Sequence, residues 1–460
     1  MALTLVLGPA NSAKAGEVLG AYGAAARRGA LLVVPTALDV EHYSRELAGD
    51  GHVLGSVLTF AGLGEEIARR VGYQPRLLSQ LQRERVVARA VAAARLQALA
   101  NSARGPGFAR AAGELIAELE RSLVTPQRFA QAMRTWGAED PRREQHAGEV
   151  AAIYLAYGRE LERLDRVDRE LFLWRALDAL REAPGRWGGE PVFLYGFDDL
   201  HPLERDAVET LARIVGAEVM VSLTYEPGRA ALQARAELVE ELRPIAERVI
   251  ELPAVEDYYD PRSRAVLHHL ERRLFEAAPD EHRIDPGSAV GLLETAGMRA
   301  EAELVAAEVL ALLREGVPGD EIAVVYRSLS EAVGVTADTF ARYGIPVRSD
   351  RRRSFAHTAL GRALLGLIRC ALYPEAQASA QDLLDYLRGP GVLERIEIAD
   401  GLELEIRRLG LGTAAQARER LGFSLGEIDA LASARDPVRE IVRQGRRLLA
   451  APHRGAAALL

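Results

Sequence analysis

Leu3-Thr4-Leu5-Val6-Leu7-Gly8-Pro9-Ala10-Asn11-Ser12-Ala13-Lys14-Ala15 begins as an apolar run, halts at Gly-Pro and passes into an Ala-rich stretch. A short apolar run bounded this way reads as a buried parallel strand, so the segment predicts strand, loop and helix in that order. A loop so placed turns backbone N–H groups and a helix N-terminus toward an anion, and Lys14 has the spacing of a phosphate-binding lysine. Two positions depart from that pattern. Ala13 stands where the motif has Gly, and Ala15 where it has the Ser or Thr whose hydroxyl binds magnesium. If Ala13 needs a left-handed backbone, its methyl group costs about 1–2 kcal/mol. Without a hydroxyl at Ala15, magnesium has no ligand from this loop, and alignment of the β- and γ-phosphates is lost. Three readings of Gly8, Asn11, Ser12, Ala13, Lys14 and Ala15 stay open: a weak or vestigial ATP site, a plain strand-to-helix turn, and an active ATPase. Lysine and arginine together number 58, and Lys14 is the only lysine among them. A compact ammonium at this one place favours the nucleotide reading over the plain turn.

Outward from the loop, Leu31 to Val34 is a second buried run stopped by Pro35, and Val53 to Phe60 supplies one or two further strands before a helical Gly64 to Val71. These are repeated α/β units. Between Leu77 and Arg181 the period lengthens to three or four, as in Phe108, Ala112, Leu115, Leu119 and then Val150, Ile153, Tyr157, Leu161, which predicts a helical insertion. The α/β pattern resumes with Val192-Phe193-Leu194-Tyr195, a helix over 202–215 and a strand over 219–223. The first domain is therefore expected to be discontinuous, 1–76 with 188–280, around an insertion at 77–187. A polar, Pro-containing stretch, 277–287, reads as a linker. Beyond it, Val290 to Glu294 and Ile322 to Tyr326 are expected strands, and 299–315 and 332–343 expected helices, in a partial domain over 288–372. The remaining residues, 373–460, are expected to be helical.

The 460 residues are 48% hydrophobic and 27% charged, enough for roughly three folded units. No stretch approaches the roughly 20 apolar residues that cross a bilayer, and Met1 to Leu7 has no basic leader, so no membrane partner and a cytoplasmic location are expected. Cys370 is the only cysteine, which excludes a disulfide framework, a thiolate zinc site and an iron–sulfur cluster built from this chain alone. The histidines are scattered, and the neighbours His268 and His269 point to different sides of a helix, so no metal site is expected. A formal charge of −8 disfavours long-range attraction to phosphate, so contact with DNA must be local.

The order of segments resembles the superfamily 1 helicase-like half of AddB-type (RexB-like) proteins, the B subunits of bacterial helicase–nuclease complexes. The resemblance is carried by Leu5-Val6-Leu7-Gly8 with its degenerate loop, by Leu32-Val33-Val34-Pro35-Thr36, by Val57-Leu58-Thr59-Phe60-Ala61-Gly62-Leu63 and by Val192 to Glu204. It implies an α/β fold of RecA-like, UvrD-type parallel-sheet domains with large helical insertions. Active helicases of this class end the corresponding strand in an Asp-Glu pair, whereas Gly196-Phe197 stands here, ahead of Asp198 and Asp199 in what reads as a solvated acidic loop. B subunits typically carry this Gly-Phe form.

By the same resemblance Ile322 to Arg327 matches a strand of the second RecA-like domain, and Arg327 the arginine that reaches nucleotide in active relatives. Thr59 and Phe60 match a position along single-stranded DNA. Arg348, Arg351, Arg352 and Arg353, with Tyr343 and Phe355, form a basic and aromatic cluster suited to holding a DNA backbone and stacking a base. The resemblance covers the N-terminal part of the family only; its later helicase motifs and C-terminal nuclease find no counterpart. That nuclease needs an acidic residue two before a lysine, and Ser12 is two before Lys14. The expectation is a DNA repair and recombination protein that lacks catalysis of its own, binds DNA, and pairs with an AddA-like helicase–nuclease. Against it stand an active ATP-dependent DNA helicase and a degenerate protein-interaction module.

Overall fold

Six strands pair side by side, all parallel, in one sheet: β1 (Leu3–Gly8), β2 (Leu31–Val34), β3 (Ser56–Thr59), β4 (Val192–Leu194), β5 (Val219–Thr224) and β6 (Ala246–Glu251), in the order β3-β2-β4-β5-β1-β6. The computed structural model describes residues 3–49, 55–105, 107–138, 140–276, 283–348, 354–373 and 377–450. Parallel strands need crossover connections that lay helices on the sheet faces, so the inner strands are largely apolar, with exceptions such as Thr4 and Ser222. β1 shows the consequence: Leu3, Leu5 and Leu7 point into one core with Val33, Leu194 and Val221, while Val6 points into the other with Leu32, Val34 and Phe193. Register is continuous from Leu5↔Val221 through Val221↔Leu194 to Leu194↔Val33.

The crossovers on one side are α1 (Lys14–Ala25) and α2 (Ala37–Gly49), followed by α3 (Phe60–Val71). α3 is capped by Thr59, whose hydroxyl accepts from Gly62 N at 3.3 Å, and it buries Phe60, Leu63, Ile67 and Ala68. The insertion then follows as α4 (Gln80–Ala93), α5 (Ala100–Ala103), α6 (Phe108–Arg121), α7 (Pro126–Gly137), α8 (Pro141–Leu164) and α9 (Arg169–Glu182). Its own core joins Val86, Val87, Ile116, Ile153, Tyr154, Tyr157 and Leu161. Leu177 and Leu180 of α9 belong instead to the sheet core, so the last helix of the insertion also walls the sheet. The chain returns through β4, α10 (Pro202–Glu209), a π-turn over Thr210–Val215, β5, α11 (Ala236–Leu242), β6 and α12 (Arg264–Arg273).

Contacts divide the chain into two compact units, Met1–Gly291 and Leu292–Leu460. The second unit contains α13 (Met298–Arg314), α14 (Leu329–Arg342), α15 (Ala359–Leu372), α16 (Ala380–Leu387), α17 (Glu397–Leu409), α18 (Ala414–Arg418), α19 (Gly426–Ala432) and α20 (Pro437–Ala450). The two helices expected here and the helical tail are present. The two expected strands are not: Val290 to Glu294 and Ile322 to Tyr326 are unpaired coil. A strand exists only through its neighbours, and among the described residues of this unit no sheet offers a partner. Their apolar side chains stay in solvent, with Leu292 91% and Val325 87% exposed. No helix among the described residues is long and apolar enough to cross a membrane.

Phe193 is fully buried in the middle of the sheet and meets Tyr22 edge-on at 5.9 Å. Replacing it by Ala is expected to cost about 3–5 kcal/mol, whereas Val57→Ala on the half-buried edge strand β3 should cost under about 1.5 kcal/mol. Denaturant titration of both variants reads the difference.

Candidate functional site

The loop after β1 lies where ligands collect in open parallel sheets, at the carboxyl ends of strands beside a reversal in strand order. β1 sits between β5 and β6, and its tip is tied to both: Tyr225 N donates to Gly8 O at 3.0 Å and Leu252 N to Leu7 O at 2.8 Å. Gly8 is required by close approach, because a Cβ there would collide with the Ser12 side chain and lie 3.0 Å from the Leu252 carbonyl. Asn11 and Ala13 both take left-handed backbone, at φ 55° and 60°. Asn tolerates this region, and it is further fixed by donating its Nδ2 to the Tyr259 hydroxyl at 2.6 Å. Ala13 bears the steric cost anticipated from sequence, and as N-cap of α1 it offers no side-chain acceptor to the first turn.

Lys14 opens α1 and turns its side chain back into the loop. Its ammonium donates to Gly8 O at 3.1 Å, to Ser12 Oγ at 3.1 Å and to Pro9 O. Ser12 is itself buried at 2% exposure. Burial lowers the Lys14 pKa to about 8, and the carboxylate of Glu271 opposes that shift. Ala15 follows with no hydroxyl, so nothing on the first turn of α1 stands where the motif holds magnesium. Beside the loop a cavity of about 250 Å³ is lined by Gly8, Pro9, Tyr225, Glu226, Glu251 and Leu252 among others. Glu226 is held ionised chiefly by its hydrogen bond with Arg272, and Arg229 pairs with Glu226, Glu271 and Glu276 at 3.3, 3.4 and 2.5 Å. The charged residues that line this cavity are thus acidic, paired with Arg272 and Arg243.

At the end of β4, Gly196 adopts φ 83° and Phe197 turns inward to meet Phe60 edge-on at 6.1 Å. Phe60 is 6% exposed, so its ring faces the core. Asp198 pairs with Arg235 at 2.7 Å and Asp199 accepts from Leu200 N at 2.8 Å, as a solvated acidic turn would. The second unit carries the remaining expected residues. Arg327 is exposed and on coil, Arg348 is exposed, and Phe355 and Tyr343 are 51% and 42% exposed; Arg351, Arg352 and Arg353 lie outside the described residues.

Sequence reasoning did not single out a half-buried pair just beyond β4. His201 and Glu204 form a reciprocal cap on α10: Nδ1 of His201 accepts from Glu204 N at 3.3 Å, and Glu204 accepts from His201 N at 3.1 Å. Burial raises the Glu204 pKa to about 7 and lowers that of His201 to about 4. The signal was present as a polar residue three before Glu, immediately ahead of a helix.

No family model matches the chain. Curated relatives do match, and three of them share one description, the B subunit of an ATP-dependent helicase/deoxyribonuclease. The protein of Desulforudis audaxviator is 29% identical over 381 residues, 77% of this chain and 32% of that protein. That of Moorella thermoacetica is 30% identical over 437 residues, 88% and 37%, and that of Pelotomaculum thermopropionicum 27% identical over 346 residues, 70% and 29%. The chain is of the AddB type along the stretch that it shares with them. It spans about a third of the length of these relatives. The six-strand parallel sheet with its helical insertion is the architecture that this likeness implied, a RecA-like layer interrupted by helices.

The Glu204 carboxyl gives the AddB-type sheet a pH signature. Its folded pKa lies above the unfolded value, so folding takes up a proton between pH 4.5 and about 7. The stability it contributes is complete below pH 4.5 and is lost as pH rises through about 7. Glu204→Gln keeps the cap acceptor and does not titrate, so the variant should gain on the wild type between pH 5 and 8 by about 1–3 kcal/mol. Chemical denaturation across that range measures the gain.

Proposed function

We propose that the chain is the helicase-like, non-hydrolysing part of the B component in a helicase–nuclease assembly that acts on DNA in double-strand break repair and recombination, with an AddA-like partner hydrolysing ATP. One observation carries the reading: the loop that would cradle a nucleotide fills itself with the Lys14 ammonium and has no hydroxyl at Ala15. A triphosphate would have to displace those three bonds, enter beside Glu226 and Glu251, and bring its magnesium without a ligand from the loop. ATP binding is accordingly weak or vestigial. The names of the relatives support membership of a helicase and deoxyribonuclease complex.

DNA contact falls to residues at the strand ends and in the second unit. Thr59 sits at the carboxyl end of β3, and Arg348 and Phe355 are exposed, a cation and a ring of the kinds that meet backbone charge and stack on bases. With the negative overall charge, such contact is local and depends on salt.

An ATPase assay of the purified chain with magnesium and single-stranded DNA tests the proposal. Turnover no greater than that of Lys14→Ala is expected. Robust magnesium-dependent turnover that Lys14→Ala abolishes would instead favour an active helicase motor.

A further inference from the structure

Inside the helical insertion, away from the nucleotide loop, three carboxyl groups converge from two helices. Glu120 is on the last turn of α6, Asp168 is the N-cap of α9, and Glu170 is in the first turn of α9. One oxygen from each lies within 4.8 Å of the others. Asp168 is 1% exposed and firmly held: Leu171 N donates to its Oδ1 at 3.0 Å, the Tyr157 hydroxyl to its Oδ2 at 2.6 Å, and Arg83 Nε approaches Oδ2 at 3.5 Å. Glu120 differs. It is 3% exposed, and its Oε2 has no hydrogen-bond partner among the described residues.

We propose that Glu120, Asp168 and Glu170 form a site for a hard divalent cation of the calcium or magnesium kind, joining the end of α6 to the start of α9. A buried carboxylate oxygen without a donor is costly, and a cation is the ligand that satisfies it. Charge agrees: three carboxylates against the guanidinium of Arg83 leave an excess of two negative charges when all are ionised. All three donors are carboxylate oxygens, the ligands that calcium and magnesium take, and their spread suits oxygen ligands arranged about one ion at roughly 2.0–2.6 Å. Glu120 also lines a cavity of about 430 Å³ together with Tyr154, Leu171 and Trp174, with room beside that carboxyl for water ligands. Without the ion, desolvation and the neighbouring Asp168 carboxyl push the Glu120 pKa well up.

Terbium, a calcium-sized probe whose luminescence is excited through nearby indole, reads the site directly, because Trp174 lines the same cavity as Glu120. The full chain is titrated with terbium, then with calcium or magnesium as competitor, beside Glu120→Gln and Glu170→Gln. Glu170 is only half-buried, so its variant keeps the reading independent of any folding defect at Glu120. Saturable luminescence that calcium or magnesium displaces, with affinity at least tenfold weaker in Glu170→Gln, is expected. No saturable signal, equal affinity in wild type and Glu170→Gln, or a signal that neither cation displaces overturns the proposal. So does a melting temperature that neither calcium nor magnesium changes.

Discussion

Lys14 sets its ammonium against Gly8 O, Ser12 Oγ and Pro9 O, and the character of the first unit follows from that contact. The loop oxygens converge only because β1 is held on both sides, by β5 and β6, which fixes where Gly8 and Pro9 present their carbonyls. The burial that shifts the Lys14 pKa comes from the same enclosure. A lysine so placed completes the turn between β1 and α1 from within, in a position where a phosphate would otherwise complete it from without.

The neighbouring chemistry is consistent with a body retained for its shape. Glu226, Glu271 and Glu276 are gathered around Arg229, so that arginine is committed to structure. At the end of β4, Gly196 turns the chain by a left-handed residue and sends Phe197 into the core, where a metal-binding acid would have pointed outward. The sheet itself gives up nothing: its inner strands are buried on both faces, and α9 of the insertion is recruited to cover one of them. The proposed loss of hydrolytic parts is compatible with retention of the parallel sheet because the first concerns a few loop-end side chains and the second the apolar strand interiors.

How much of this was legible depended on burial. β1, β2, β4 and β5 are predominantly apolar runs and could be read directly, because a strand covered on both faces has little choice of residue. β6 escaped: Ala246–Glu251 is an edge strand whose Glu247 and Arg248 face solvent, so it lacks the run that marks a buried strand. The opposite error occurred at Val290 to Glu294 and Ile322 to Tyr326, where local apolar character suggested strands but pairing, a property of the sheet and not of the segment, is absent. In the loop the left-handed backbone at Ala13 could be anticipated from the missing Gly. The inward turn of Lys14 could not, since a side chain's direction depends on carbonyls set by strands far apart in sequence. Nor could the meeting of Glu120 with Asp168, 48 positions along the chain, which only the packing of α6 against α9 creates.

Because Lys14 is the sole lysine, selective labelling of lysine side chains with carbon-13 yields one signal to follow by NMR as pH is varied. An ammonium enclosed by its own loop should titrate near pH 8, well below the ordinary 10.5. Titration close to 10.5 would mean that the side chain is in water and the loop stands open, and the account of a self-filled cradle would fail.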